Sequence, residues 1–222
     1  MGITERKERE KEQRRSAIID AAEKVFFSKG IENATMDEVA GKAEFSKGTL
    51  YLYFKNKNEL LHGIIGRGLE ILLTMFKGAV KKEKKGFDKI KAIGQSYYEF
   101  YKKKPDYFAA MLHQDTHEID PELMEKSPNY ARCLELGNRI FGLIQEAVTT
   151  GIADGTVRQD LEPARLSLVL WGHTSGILNM VKTKVTVIKE MFNMDEEEII
   201  EYSHRLIEDY LVDKTWKDEK IK

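Results

Sequence analysis

The chain has 222 residues, 41% hydrophobic and 33% charged, with 36 Lys+Arg against 37 Asp+Glu. That length holds one medium domain or two smaller ones, each with a real core. The formal net charge of -1 excludes a polycation that coats nucleic acid, although it leaves room for a local basic surface.

Residues 1–13 read as a charged arm. From Glu5 to Arg15, six basic side chains are mixed with four acidic ones, and the apolar run of a secretory signal is missing. Charges that nearly cancel, with no apolar stripe, predict a flexible segment. A helix follows whose stripe is Ile18, Ala22, Val25 and Phe26, with Gly30 as its C-cap. Thr35-Met36-Asp37-Glu38 is a capping box and opens a short helix to about Ala43. Ser46 caps the next, which runs through Leu50 to about Tyr53. A long helix begins near Lys57 and carries Leu61, Ile64, Ile65, Leu69, Leu72, Phe76 and Val80 on one stripe.

The run Lys81 to Gly86 is a solvated break. A helix from Phe87 to about Lys104 follows with Ile90, Ile93, Tyr97 and Tyr101, and ends because the residue before Pro105 avoids helical geometry. Asp120-Pro121 and Ser127-Pro128 each pair an N-cap with proline at the first helical position. The second opens a long helix through Leu136, Ile140, Ile144 and Ala147, and its single cysteine, Cys133, reads as a small buried apolar residue. One cysteine makes no internal disulfide, which fits a reducing compartment. Pro163 starts a helix through Leu170 and Met180 to about Lys182; Asp195 to Glu198 open the last, to Val212. No run approaches the ~18 apolar residues of a membrane span, so no membrane partner is expected and the cytoplasm is the expected location. No strand, repeat or low-complexity tract stands out. The fold class is all-α, with about nine helices.

Residues 14–60 compress three short helices and the start of a long one. Only Ala43 to Ser46 separate the second from the third, which is helix-turn-helix spacing: one helix braces across a phosphate backbone while the next enters a major groove. Ser46, Lys47, Gly48 and Thr49 occupy the first turn of the third helix, where the helix dipole favours a phosphate. Gly48 permits close approach of a duplex. Tyr51 and Tyr53 offer a ring and a hydroxyl each, while Leu50 and Phe54 lie opposite and anchor the core.

The stretch from Ile18 to Leu61, IIDAAEKVFFSKGIENATMDEVAGKAEFSKGTLYLYFKNKNELL, closely resembles the DNA-binding domain of TetR-family transcriptional regulators. The resemblance rests on Ala-Ala…Phe…Gly in the first helix, Thr35, and Ser-Lys-Gly-Thr-Leu-Tyr…Tyr-Phe…Lys…Leu. It departs at Glu44, where the family usually has Gly in the turn; a left-handed residue there is easiest for Gly. Carried over by position, the resemblance places Thr35 and Lys57 on phosphates. Ser46, Lys47, Gly48 and Thr49 then face base edges and backbone, and Tyr51 and Tyr53 the backbone or thymine methyls. The arm from Arg6 to Arg15 adds contacts if it is ordered.

The resemblance also implies an architecture: a helix-turn-helix DNA-binding domain over 14–60 with its motif at about 35–54, a helical effector-binding and dimerisation domain over 61–213, and a charged tail over 214–222. It implies a cytoplasmic homodimer that binds palindromic double-stranded operator DNA, most simply as a repressor, with a small-molecule effector and no cofactor. Tyr97, Tyr101, Phe108, Met111 and Trp171 are the expected lining of an apolar effector pocket. Trp171, with Gly172 and Gly176, serves dimer packing equally well. Ser175, Gly176, Leu206, Ile207 and Tyr210 are the expected dimer face. His113 and His117, four apart, with Asp115, Glu118 and His173, suit either a metal site or plain surface; plain surface is the simpler reading, so no metal is expected. The alternative function is a helical small-molecule- or metal-binding protein or enzyme. Against an enzyme stand the missing nucleophile elbow, His-Glu-x-x-His and phosphate-cradling glycine loop.

Overall fold

The computed structural model describes residues 2–115 and 126–212. His117, Glu118, the Asp120-Pro121 cap and the 214–222 tail lie outside them. The described residues form nine helices: α1 (Ile3–Lys29), α2 (Met36–Lys42), α3 (Lys47–Tyr53), α4 (Lys57–Val80), α5 (Gly86–Lys103), α6 (Pro105–Asp115), α7 (Pro128–Ala153), α8 (Pro163–Phe192) and α9 (Glu196–Leu211). The chain divides into two compact units, Met1–Glu70 with Asp106–Leu136, and Ile71–Pro105 with Gly137–Lys222.

Most helix ends follow the sequence signals. Gly30 leaves α1 at φ 82, the Thr35–Glu38 capping box opens α2, Ser46 caps α3, and an Asp195–Glu198 capping box opens α9. Two features differ from expectation. The arm is helical from Ile3, because its charges fall at spacings of three and four: Arg6 pairs with Glu10 at 3.0 Å and Arg15 with Glu12 at 3.6 Å. α8 runs ten residues past Lys182 to Phe192; no Gly or Pro falls in that stretch, and Asn193 at φ 52 ends it. Its cap is Glu162, whose carboxylate accepts from the amides of Ala164 and Arg165.

The first unit is built on α1. Its apolar face, Ile18, Ala22 and Phe26, is buried with Leu50, Phe54, Leu60 and Ile64. Arg67 of α4 fastens α1 by bonding Asp20 at 2.5 Å and Ser16 Oγ at 2.8 Å. From α6, the Tyr107 hydroxyl donates to Glu23 at 2.7 Å, and the ring meets Phe27 edge-on at 5.2 Å. From α7, Asn129 donates to Glu59 Oε2 at 3.0 Å, and Cys133 Sγ donates to the His62 carbonyl at 3.2 Å. These ties explain why residues 61–70 and 106–136 belong with the N-terminal unit, beyond the expected boundary at 60.

In the second unit α5, α8 and α9 pack together, with Leu72, Phe76, Phe100, Ile140, Leu178 and Leu211 buried. The start of α5 is capped by a distant loop: Asp154 accepts from the Gly86 amide at 2.8 Å and Thr156 Oγ1 from the Phe87 amide at 3.1 Å. Backbones touch here. A Cβ on Gly86 would lie 1.9 Å from the Gly151 nitrogen. The end of α9 is held by a β-bridge between Val157 and Val212 and by the Arg158 amide, which donates to the Leu211 carbonyl at 3.0 Å.

Candidate nucleic-acid interface and a helical cavity

The α2–α3 head is positioned from inside. Leu50 and Phe54 are fully buried, and truncating either would cost about 2–5 kcal/mol. Phe54 also receives the Arg15 guanidinium over its ring at 5.5 Å. The turn between α2 and α3 places Glu44 at φ 59, the left-handed conformation that Gly adopts most easily. Thr35 is engaged in its cap: its hydroxyl donates to Glu38 at 3.0 Å and accepts from the Glu38 amide at 3.3 Å. The Lys29 ammonium, with Thr35, holds the Glu38 carboxyl below the usual carboxylate range.

Opposite Leu50 and Phe54, α3 presents an open face. Ser46 Oγ accepts from the Thr49 amide at 3.1 Å and pairs with the Thr49 hydroxyl at 2.9 Å. Lys47 extends to Asp37 at 2.5 Å. A Cβ on Gly48 would meet only Ser46 Oγ, at 3.9 Å. Tyr51 is 49% exposed, Leu52 is 85% exposed and Tyr53 is half-buried. Lys57, at the start of α4, donates to the Glu32 carbonyl at 2.8 Å and so closes the loop before α2. Leu52 was missed in the sequence. Its signal is that an apolar residue two places from Leu50 falls off the buried stripe.

The second unit holds a partly open cavity of about 70 Å³. Its apolar wall is Phe76 of α4, Ile90 and Ile93 of α5, Leu170 of α8 and Ile207 of α9. Tyr97 and Trp171 also line it, their rings stacked at 5.0 Å and 11°. The Tyr97 hydroxyl pairs with Ser175 Oγ at 3.3 Å. The remaining wall is polar. His173 Nε2 lies 2.7 Å from Ser203 Oγ, and Lys91 lies 3.6 Å from Glu208. His204 Nε2 lies 3.7 Å from where a Cβ on Gly94 would stand. Burial, with Lys91 and His173 nearby, pushes the His204 pKa down.

Of the five expected lining residues, Tyr97 and Trp171 line this cavity. Tyr101 does not: its hydroxyl turns to Glu196 at 3.1 Å, and burial with that carboxylate pushes its pKa up to about 12. Phe108 and Met111 are buried in the N-terminal unit, because the break at Pro105 starts a new helix there. His204, Lys91 and Glu208 were not anticipated; they sit among the polar residues of otherwise amphipathic helices.

The expected dimer face also divides. Ser175 is half-buried and bonded to Tyr97, and Ile207 is part of the cavity wall. Leu206 and Tyr210 are exposed with Tyr202, one turn apart along α9. On α8, Leu168, Val169 and Met180 are exposed, and a Cβ on Gly172 or Gly176 would meet nothing within 4 Å. These exposed apolar side chains lie on two helices that pack against each other.

His113 approaches Glu32 at 3.8 Å in the first unit, whereas His173 lines the cavity of the second. Among the described residues no group of three or more His, Cys, Asp or Glu is placed to hold a metal. Among them, too, no helix is long and apolar enough to cross a membrane.

Together, the brace of α2, the exposed face of α3 and its buried Leu50–Phe54 anchor define a helix-turn-helix head. Residues 18–64 match the family of bacterial regulatory proteins described as the tetR family. The HTH-type transcriptional regulator SAUSA300_2515 of Staphylococcus aureus (strain USA300) is 30% identical over 135 residues, 61% of this chain and 60% of that protein. The match thus spans less than two-thirds of that relative's length. The fold is that of a TetR/AcrR-family transcriptional regulator from Thermobifida fusca YX-ER1, with TM-score 0.66, 19% identity, and 88% and 97% of the two chains covered. It is also that of the regulator FadR from Bacillus subtilis in complex with stearoyl-CoA, with TM-score 0.67, 17% identity, and 88% and 98% covered. Residues 18–64 thus carry the stretch that the tetR-family description covers, and the chain as a whole shares the all-helical fold of these regulators.

Proposed function

We propose that the protein is a cytoplasmic, homodimeric repressor that binds palindromic operator DNA and is released by a small effector. The observation that carries this reading is the outer face of α3, where Lys47, Gly48, Tyr51 and Leu52 are exposed above a buried Leu50–Phe54 anchor. A seven-residue helix reads only a few base pairs, so specificity needs a second head. A two-fold dimer supplies it and demands two-fold-related half-sites. The exposed faces of α8 and α9 support a four-helix dimer interface.

Thr35 and Lys57 bind phosphates on either side of the reading helix. Ser46, Lys47, Gly48 and Thr49 meet base edges and backbone, with Tyr51 and Tyr53 on the backbone and Leu52 on a thymine methyl. The cavity between α5, α8 and α9 is the effector site; that FadR, which shares the fold, forms a complex with stearoyl-CoA supports a small-molecule effector. α4 is one continuous helix from Lys57, beside the head, to Phe76, in the cavity wall. An effector that prefers the DNA-incompetent arrangement of α4 weakens operator binding by about 5- to 150-fold, a coupling of ~1–3 kcal/mol.

Selection of bound duplexes from a random pool by the full chain tests the reading. The expected product is a site whose halves are related by a dyad, occupied by a dimer in sedimentation. A selected site with no dyad relation, or no selection above background, would overturn it.

A further inference from the structure

We propose that the cavity takes a small monocarboxylic acid whose apolar body is about the size of one aromatic ring, its carboxylate received by His204, His173 and Lys91. The inference rests on reading this cavity as the effector site, and adds the chemical class of the occupant.

The lining is segregated. Phe76, Ile90, Ile93, Leu170 and Ile207, with the stacked Tyr97–Trp171 pair, offer an occupant apolar and aromatic surface. Three nitrogen-bearing side chains stand on the remaining wall against a single carboxylate, Glu208, which already lies 3.6 Å from Lys91. A cationic ligand would face Lys91 and two imidazoles with no unshared anion. A neutral apolar ligand would gain nothing from that wall. A carboxylate matches it, since charge-assisted hydrogen bonds to imidazolium and ammonium are among the strongest polar contacts a site can offer.

Size sets the second limit. The volume of about 70 Å³ is about half the roughly 150 Å³ that holds benzene in an engineered cavity, so a ring-sized body fits only because the cavity is open on one side. An occupant of ring size therefore projects its polar end outward, toward the half-exposed Lys91 and Glu208.

Protonation gives the inference a signature. His204 is faced by Lys91 from α5, by His173 from α8, and by Glu201 and Glu208 on its own helix. Burial and the two basic neighbours favour its neutral form in the empty cavity. A carboxylate arriving beside it favours imidazolium, so the ligand brings in a proton from solvent.

The test is calorimetric titration of the full chain with phenylacetate, 2-phenylethanol and 2-phenylethylamine, which share a body and differ in head charge. Each is run near neutral pH in buffers of different ionisation enthalpy. Phenylacetate is expected to bind about 10- to 100-fold more tightly than the alcohol, the range of a charge-assisted hydrogen bond, and the amine most weakly. Only phenylacetate should take up a proton. His204→Gln should abolish that uptake and most of the preference for the acid. Lys91→Gln, at the solvent edge, should narrow the preference and serves if the His204 variant does not fold. Equal or tighter binding of the alcohol or amine, proton uptake that survives His204→Gln, or binding of no probe would overturn the proposal. A protein that binds the acid but selects no DNA overturns the regulatory reading and upholds this chemistry; one that selects DNA but binds no probe does the reverse.

Discussion

The Lys47 ammonium lies 2.5 Å from the Asp37 carboxylate, so α3's foremost cation is held by the helix before it. Both side chains are more than half exposed, and such a pair contributes at most about 1 kcal/mol. A DNA phosphate or base would therefore displace Asp37 at little cost. Asp37→Asn is expected to leave the melting temperature nearly unchanged and to tighten operator binding. Lys47→Ala is expected to relax preference at one base position by roughly 1–3 kcal/mol. Lys57→Ala is expected to weaken all sequences alike and to lower the salt slope by about one. Fluorescence anisotropy across operator variants and salt concentrations separates the two lysines; identical uniform losses would remove Lys47 from the base-reading set.

Gly48 is not required by the protein's own packing. The nearest atom to an added Cβ is 3.9 Å away and its φ is ordinary, so Gly48→Ala fits the free protein. It should leave stability unchanged or raise it by up to about 1 kcal/mol. Operator affinity should nevertheless fall, because the methyl group intrudes on the duplex. Thermal melts and DNA titrations of one preparation check both signs; unchanged affinity would show that no close approach occurs at this point.

The head was legible because its signals are local. Thr35–Glu38 and Ser46 cap the helices they were expected to cap, and the Leu50–Phe54 spacing of four defines the buried stripe. Even the misfit at Glu44 pointed to the φ of 59. What the sequence hid depends on distant contacts. The destination of Phe108 and Met111 is set by which unit receives α6 after Pro105. Ile207 and Leu206 are adjacent apolar residues of α9, yet one lines a cavity and the other faces solvent; only the packing of α5 and α8 against α9 decides between them. The polar wall of the cavity was hidden for the same reason, since Lys91, His204 and Glu208 look like ordinary surface residues in a periodic pattern.

Leu206 lies midway along the exposed row Tyr202, Leu206 and Tyr210. With α8 it is expected to meet its symmetry mate. A charge buried there without a partner would cost several kcal/mol of dimer stability. Leu206→Glu should give monomers in sedimentation and lose operator binding, while its circular dichroism stays helical because the side chain is 51% exposed in the subunit. An intact dimer would move the interface elsewhere.

Cys133 gives a pH signature. Burial pushes its thiol up to about 12, well above its ordinary value. A pKa raised on folding means that the thiol's contribution to stability is complete below the unfolded value, near 9, and is lost as pH climbs toward the folded one. Each pH unit in that window removes up to about 1.4 kcal/mol. Tyr101 and Tyr107 act in the same direction, so the comparison is with Cys133→Ala. Urea unfolding from pH 8 to about 10 should show a steeper loss in the parent protein than in the variant. Native Cys133 should also resist alkylation; rapid labelling without unfolding would contradict its burial.

The contact between Gly86 and Gly151 bears on how this protein could be re-tuned in the laboratory. A Cβ on Gly151 would stand 2.5 Å from Val157 Cγ2, as one on Gly86 would strike the Gly151 backbone, so even alanine is shut out at both positions. The crossing is an immovable rivet joining the start of α5 to the end of α7. Ile90, Ile93, Leu170 and Ile207 lie outside it and meet the cavity with replaceable side chains. On the proposed reading of the cavity as an effector site, a biosensor library that varies those four among apolar residues and spares the two glycines keeps its scaffold while it samples new inducers, whereas mutagenesis spread evenly over the domain spends many of its clones on proteins that never assemble.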